Sequence, residues 1–328
     1  MPLRASPLVL ALTLMCGGAA AQTPPSKPSP IPGMPPIQVL DPGPEGQRVA
    51  VEGVFANYFP GRGAGTRPAI LELGGSEGGL GGGALREAKA LQAEGFSVLQ
   101  LCYFGCTGTP DRLASVPLET FARGLAWLRA QPGVDPDRVG VVGGSKGSEA
   151  ALLAATRDPK LKAVIATMPS SVAWPGITYA QGMAPSWTEG GQAVPYLPYA
   201  PYTAMSKGGI FYLYADALPA LPEHPQSIIP VERIGGRIML VCGEADTLWP
   251  SCPMTDFMAA RLRAKGRPEP VLLRYKDAGH AVFGVPVERS SPNFANLGAL
   301  GGTAEGNAAA RADAWPKAVA FLKAALQP

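Results

Sequence analysis

The sequence predicts an α/β fold: a mostly parallel central sheet with helices on both faces and one long lid-like insertion. Three observations point there. Strand-like and helix-spaced runs alternate along most of the chain, the order that lays parallel strands beneath crossover helices. The 328 residues are 46% hydrophobic and 16% charged, enough for one large core. The alternation breaks once, over residues 169–232, where Pro, Gly and Tyr crowd together. Long irregular stretches of that kind form lids or binding loops.

The elements follow in order. Val49 to Tyr58 (VAVEGVFANY) alternates as an edge hairpin does, and Ala69 to Leu73 (AILEL) reads as a short buried strand ending in GGSEGGLGGG. Ala84 to Ala93 has helical spacing and stops at Gly95; Phe96 to Cys102 is the next strand. Leu118 to Leu128 is a helix, Val139 to Val142 a strand, Lys146 to Thr156 a helix and Leu161 to Ala166 a strand. After the insertion the pattern resumes with strand Ile238 to Cys242 and a helix near Thr255 to Ala264. Strand Val271 to Tyr275 and a closing helix near Ala309 to Leu326 complete it.

The N-terminus reads as an export leader over residues 1–21. Arg4 precedes the apolar run PLVLALTLM, which is too short to span a bilayer, and Ala19-Ala20-Ala21 offers the small residues that cleavage requires. Residues 22–36 (QTPPSKPSPIPGMPP) form a Pro-rich linker, so the folded domain is expected over 37–328. Removal of the leader takes Cys16 with it. Cys102, Cys106, Cys242 and Cys252 remain, an even number that permits disulfides in an oxidising compartment. The local pairs Cys102–Cys106 and Cys242–Cys252 are the expectation, with four free thiols as the alternative. Cysteine spacing does not suit zinc, and no other metal or cofactor is expected. A formal charge of +3 without clustered Lys and Arg gives no nucleic-acid footprint.

The stretch RVGVVGGSKGSEAALLAA (138–155) is strand, glycine-rich corner, helix. Such a corner cradles phosphate or exposes a nucleophile. A phosphate loop needs Gly before its Lys and Ser or Thr after it; Ser145 and Gly147 flank Lys146 instead. A second pattern, Gly79, Gly81 and Ala84, suggests dinucleotide binding, but Cys102 and Tyr103 stand where the next strand should end in an acidic residue. Gly143-Gly144-Ser145-Lys146-Gly147 does fit G-x-S-x-G. There the serine sits on a strained strand-to-helix turn, and glycines two positions away on each side avoid collision.

A serine nucleophile needs an acid and a histidine, in that order along the chain. Of the two histidines, His280 follows a strand (VLLRY…DAGH), whereas His224 lies inside the insertion. Asp246 sits on the loop after strand IMLVC and is preferred to Glu244 and Asp277 as the residue orienting His280. The backbone N–H of Lys146 and that of Ser76 or Glu77, after strand AILEL, are the candidate oxyanion donors. Lys146 and Glu149, three apart on a helix, read as a weak ion pair; attraction of an anionic acyl carrier by Lys146 is the alternative. Trp174, Tyr179, Trp187, Tyr196, Tyr199 and Tyr202 either line an acyl pocket or pack the insertion. Trp249-Pro250 is expected to fix the loop that presents Asp246.

The segments VGVVGGSKGSE, IPVERIGGRIMLVCGEADTLWPS, RYKDAGH and GGTAEGNAAARADAWPKAVAFLKAAL carry a resemblance. The chain from about Pro68 onward resembles the C-terminal catalytic domain of the acyl-CoA thioesterase / bile acid-CoA:amino acid N-acyltransferase family. That family lies within the α/β-hydrolase fold and has dienelactone hydrolase-like enzymes as neighbours. The resemblance places Ser145, Asp246 and His280 at the family's triad positions. It implies a serine hydrolase acting on a small-molecule acyl thioester or ester; the leader adds that the enzyme is exported (periplasmic or secreted), without stable membrane insertion. A carboxylesterase or dienelactone hydrolase-like enzyme on small esters, and a non-catalytic binding protein on the same fold, are the alternative readings. The transferase branch resembles an enzyme with a Cys nucleophile; Ser145 in this chain points to hydrolysis.

Overall fold

The computed structural model describes residues 36–178 and 182–328. The leader, the linker short of Pro36, and Tyr179 lie outside the described residues.

Eight strands form one sheet in the order β1-β2-β4-β3-β6-β7-β10-β11. The hairpin β1 (Gln47–Val51) and β2 (Val54–Phe59) is antiparallel, and β2 runs antiparallel to β4 (Ser97–Cys102). From there every pairing is parallel, through β3 (Arg67–Leu73), β6 (Val134–Gly144), β7 (Ala163–Thr167), β10 (Arg237–Gly243) and β11 (Val271–Tyr275). Side chains alternate across a strand, so β3 sends Ala69, Leu71 and Leu73 to one core and Ile70 to the other. The first face packs on α2 (Glu119–Arg129), α3 (Lys146–Ala155) and α5 (Ser251–Ala264) through Phe121, Leu125, Leu152 and Met258. The second packs on α1 (Gly82–Ala93) and α6 (Ala304–Ala325) through Ala88, Leu91, Ala314, Ala318 and Leu322. The α/β fold with a mostly parallel sheet is therefore present as expected.

Departures lie at element ends. β6 begins five residues before Val139, because Val134 pairs with Arg67 and a register shift then absorbs the polar Asp135-Pro136-Asp137. α6 starts at Ala304, since the Thr303 side chain accepts the Gly306 N–H at 2.9 Å and caps it. α5 starts at Ser251 because Pro253 is tolerated in a first helical turn. Every residue of α3 is buried, which its Ala, Gly and Leu content allows.

The insertion has a core of its own. Val172, Trp174, Leu197, Tyr199, Leu213 and Tyr214 pack together and against Trp249 and Met254 of the main body. The short strands β8 (Trp187–Glu189) and β9 (Gln192–Ala193) join β5 (Val116–Pro117) in a small second sheet, and α4 (Phe211–Ala215) lies beyond them. Cys102–Cys106 and Cys242–Cys252 are both disulfide-bonded, the two expected local pairs. Among the described residues no helix is long and apolar enough to cross a membrane.

Candidate active site

The strand β6 ends in Gly143-Gly144 and α3 begins at Lys146, leaving Ser145 on the turn between them with φ 54° and ψ −122°. No L-residue adopts that conformation without strain. The flanking glycines have a steric reason. A Cβ on Gly143 would lie 2.2 Å from the Gly147 carbonyl oxygen, and one on Gly147 would lie 2.3 Å from the Gly74 oxygen. Ser145 N–H donates to Thr167 O at 2.9 Å, which ties the turn to β7.

Ser145 is half-buried and lines a cavity of about 320 Å³ at the C-terminal ends of the strands, where parallel α/β sheets place their ligands. His280 lines the same cavity. Its Nδ1 lies 2.9 Å from Asp246 Oδ2, which also accepts from Ser251 Oγ at 2.8 Å. Asp246 Oδ1 accepts the N–H groups of Leu248 (2.9 Å) and Trp249 (3.3 Å). The carboxylate is thus held from four directions. Glu244 and Asp277 are not in this arrangement: Glu244 faces Arg274 at 3.5 Å and Asp277 is exposed. His280 Nε2 is buried with no hydrogen-bond partner, so a Ser145–His280 hydrogen bond is not made, although both residues face the cavity. Serine–histidine bonds of this type commonly tighten only when substrate binds.

Supports that the sequence did not advertise hold the histidine loop. His280 N–H donates to Leu300 O at 3.0 Å, and Gly279 N–H to Asn307 Oδ1 at 3.0 Å. Asn307 Nδ2 donates in turn to the carbonyls of Gly301 and Thr303. The Trp249 indole N–H reaches Met168 O at 3.1 Å, and its ring meets the His280 ring edge-on at 5.9 Å. That gives physical content to the expected bracing of the Asp246 loop by Trp249.

Lys146 forms the expected ion pair with Glu149, but as a buried pair. It is 2% exposed and its partner Glu149 is fully enclosed, so it is neither a surface pair nor a free attractor of anions. Nζ donates to Glu149 Oε2 at 2.7 Å and Ser186 Oγ at 2.8 Å, and stands 5.4 Å from the centre of the Trp187 ring. Glu149 Oε1 accepts the Trp174 N–H (3.0 Å) and the Trp187 indole N–H (2.6 Å). Burial lowers the Lys146 pKa and raises that of Glu149, and each charge opposes the other's shift.

Ser76 and Glu77 line the cavity, and the loop they share runs beside Ser145: a Cβ on Gly75 would touch Ser145 Cβ at 3.4 Å. Glu77 Oε1 accepts the Gly75 N–H at 3.0 Å. Surrounding protein raises the Glu77 pKa, against the pull of its backbone hydrogen bonds and of His280. Glu77 is nonetheless exposed to solvent. Glu72, Glu87 and Arg311 also line the cavity. Burial pushes the Glu72 carboxyl up strongly and Glu87 up to about 7, the two sharing a hydrogen bond, while Arg311 restrains Glu87.

The apolar wall comes from Met168, Ile177, Ile210, Tyr214, Trp249 and Phe283. Trp174, Trp187, Tyr196, Tyr199 and Tyr202 do not line the cavity; Trp174, Trp187 and Tyr199 are buried as packing. His224 likewise stands apart from it.

Fold and site together define an α/β-hydrolase architecture. A putative dienelactone hydrolase from Klebsiella pneumoniae superposes with a TM-score of 0.54 at 16% identity, over 82% of this chain and 92% of that one, a likeness of fold. Residues 116–328 match the family model described as BAAT / Acyl-CoA thioester hydrolase C terminal, and the chain belongs to that family. Acyl-coenzyme A thioesterase 1 of Mus musculus is 29% identical over 266 residues, covering 79% of this chain and 60% of the relative. Acyl-coenzyme A amino acid N-acyltransferase 1 of Mus musculus is 30% identical over 246 residues, 74% and 55% respectively. The chain therefore spans little more than half the length of these curated relatives.

Proposed function

We propose that this chain is an exported serine hydrolase that cleaves acyl thioesters or esters through an acyl-enzyme. The observation that carries the reading is Ser145 on its strained turn, in one cavity with a His280 whose Nδ1 is held by Asp246. In this mechanism His280 Nε2 takes the Ser145 hydroxyl proton while Oγ attacks the carbonyl carbon. The carbonyl oxygen becomes an oxyanion facing the N–H of Lys146 and that of Ser76 or Glu77. Collapse expels the thiolate or alkoxide, which leaves with the proton from His280. Water then enters, gives a proton to His280 and attacks the acyl-enzyme, and the proton returns to Ser145 as the acid departs. Asp246 fixes the imidazole tautomer and steadies the imidazolium.

The names of the relatives point to acyl-CoA thioesters. One observation favours a second reading, oxygen esters of small acids. The two disulfides point to an oxidising compartment, away from acyl-CoA, an intracellular substrate. The same bonds support export by the expected 1–21 leader.

A panel of p-nitrophenyl esters and acyl-CoAs, with Ser145→Ala alongside, tests the reading. Ser145→Ala should stay folded and lose nearly all turnover, and a fluorophosphonate should label the parent protein at Ser145. Equal turnover in the variant would overturn the mechanism; folded protein that neither turns over nor labels would favour a non-catalytic binding protein.

A further inference from the structure

Tyr103, the residue after β4, is buried and does not line the cavity, and its hydroxyl reaches the loop 74–77. The Tyr103 hydroxyl donates to Gly74 O at 2.7 Å and also lies 3.0 Å from Gly75 O. A trans peptide is planar, with its C=O and the next N–H pointing in opposite directions. Two carbonyls turned toward Tyr103 therefore turn the N–H groups of Gly75 and Ser76 away from it. Gly75 and Ser76 both line the cavity, and the loop passes beside Ser145, a Cβ on Gly75 lying 3.4 Å from Ser145 Cβ. The Gly75 N–H is taken by the Glu77 carboxylate, and the Ser76 N–H has no acceptor among the described residues.

From this geometry we infer that Tyr103 is a positioning residue: its hydroxyl locks the peptide planes of Gly74–Gly75 and Gly75–Ser76 so that the Ser76 N–H is preorganised as the second oxyanion donor. The inference rests on the serine-hydrolase reading and deepens it, choosing Ser76 over Glu77. Preorganisation matters because a glycine-rich loop otherwise samples many peptide orientations, and a donor that must reorient during reaction stabilises the transition state less. Burial, together with the charges of Glu77 and Glu149, raises the Tyr103 pKa far above its ordinary value. The phenol thus stays a donor at any working pH. Its ring packs against Phe104, Phe121 and Trp187, with centroids 5.2, 5.4 and 5.8 Å away, so Tyr103→Phe keeps the apolar contacts and deletes only the hydroxyl.

The test compares the full chain with Tyr103→Phe on one p-nitrophenyl ester and in the rate of fluorophosphonate labelling at Ser145, whose phosphoryl oxygen occupies the oxyanion position. The expected result is a 10- to 100-fold fall in kcat, a KM within about twofold, and a parallel slowing of labelling, since removing a whole oxyanion donor costs roughly 10²–10³ in kcat. A purely structural role would lower the melting temperature and leave the labelling rate of the folded fraction unchanged; that result would overturn the inference. Equal labelling rates in both proteins would do the same while leaving Ser145 as the nucleophile. An unlabelled, inactive parent protein would remove the serine reading itself, and this inference with it. Should Tyr103→Phe fail to fold, Ser76→Pro, which deletes the N–H directly, must show the same kcat loss and slowed labelling for the assignment to stand.

Discussion

Replacing Lys146 by Met removes one half of an ion pair that has almost no access to water, and the network around it sets the magnitude. Lys146 makes two hydrogen bonds, to Glu149 and Ser186; Glu149 makes three, to Lys146, the Trp174 N–H and the Trp187 indole. Breaking a buried pair from one side costs about 3–5 kcal/mol, because a charge is left uncompensated. Lys146→Met should therefore destabilise by about 3–5 kcal/mol, moderated by the two donors that Glu149 retains. Glu149→Leu leaves a buried ammonium and also strands two N–H donors, each at about 1–3 kcal/mol, for a total of about 5–11 kcal/mol. That rivals the whole stability of an ordinary domain. The double variant Lys146→Met/Glu149→Leu carries only the stranded polar groups. It should be more stable than Glu149→Leu alone, so that adding a second destabilising change restores stability. Equilibrium urea unfolding with the disulfides intact measures all three. The reasoning fails if Lys146→Met costs under about 1 kcal/mol, or if the double variant is no more stable than Glu149→Leu.

Two further outcomes follow from the same structure. The Cys242–Cys252 bond closes a loop with a sequence separation of 10 around Asp246; replacing both by Ser should cost about 2.7 kcal/mol from loop entropy and lower kcat as the acid loosens, and an unchanged urea midpoint would refute it. Glu87 is pushed up from 4.5 to about 7, so the native state holds more protons than the unfolded chain between those values. That stability is complete below about pH 4.5 and is lost as the pH rises through 7. Glu87→Gln should thus gain melting temperature over the parent between pH 5 and pH 8, and parallel curves at all pH values would contradict the assignment.

The sheet was legible because buried parallel strands leave short apolar runs, and β11 lies where the sequence places it, from Val271 to Tyr275. Ends were less legible where capping or a bulge decides them, as at Thr303 and at Arg67 opposite Val134. The elbow was legible because its sterics act within five residues. The aromatic residues of the insertion were open between pocket and packing, since Trp and Tyr serve both and only three-dimensional neighbours distinguish them. The cavity wall instead takes Ile177, Ile210 and Tyr214. Tyr103 registered in the sequence only as a missing carboxylate.

The supports of the histidine were the least legible, and their chain positions explain why. Asp246 and His280 stand on separate loops after β10 and β11, and neither loop can fix the other's distance from Ser145. The segment after residue 299 does so from a third direction. Asp246 pairs with Gly301 and Ala278 with Gly302 as isolated bridges, while Leu300 O holds the His280 N–H. Asn307, in the first turns of α6, is fully buried and spends its amide on this segment and on Gly279. A small polar residue at a helix start looks like ordinary surface in a sequence. Here it closes a frame in which the acid loop, the histidine loop and the last helix are mutually bonded. The consequence is that the position of the imidazole is set by α6 as much as by the strand that precedes it. Losing the Asn307 side chain would leave the Gly279 N–H and the Gly301 carbonyl without their partner, and the geometry between Nδ1 and Asp246 would relax with them.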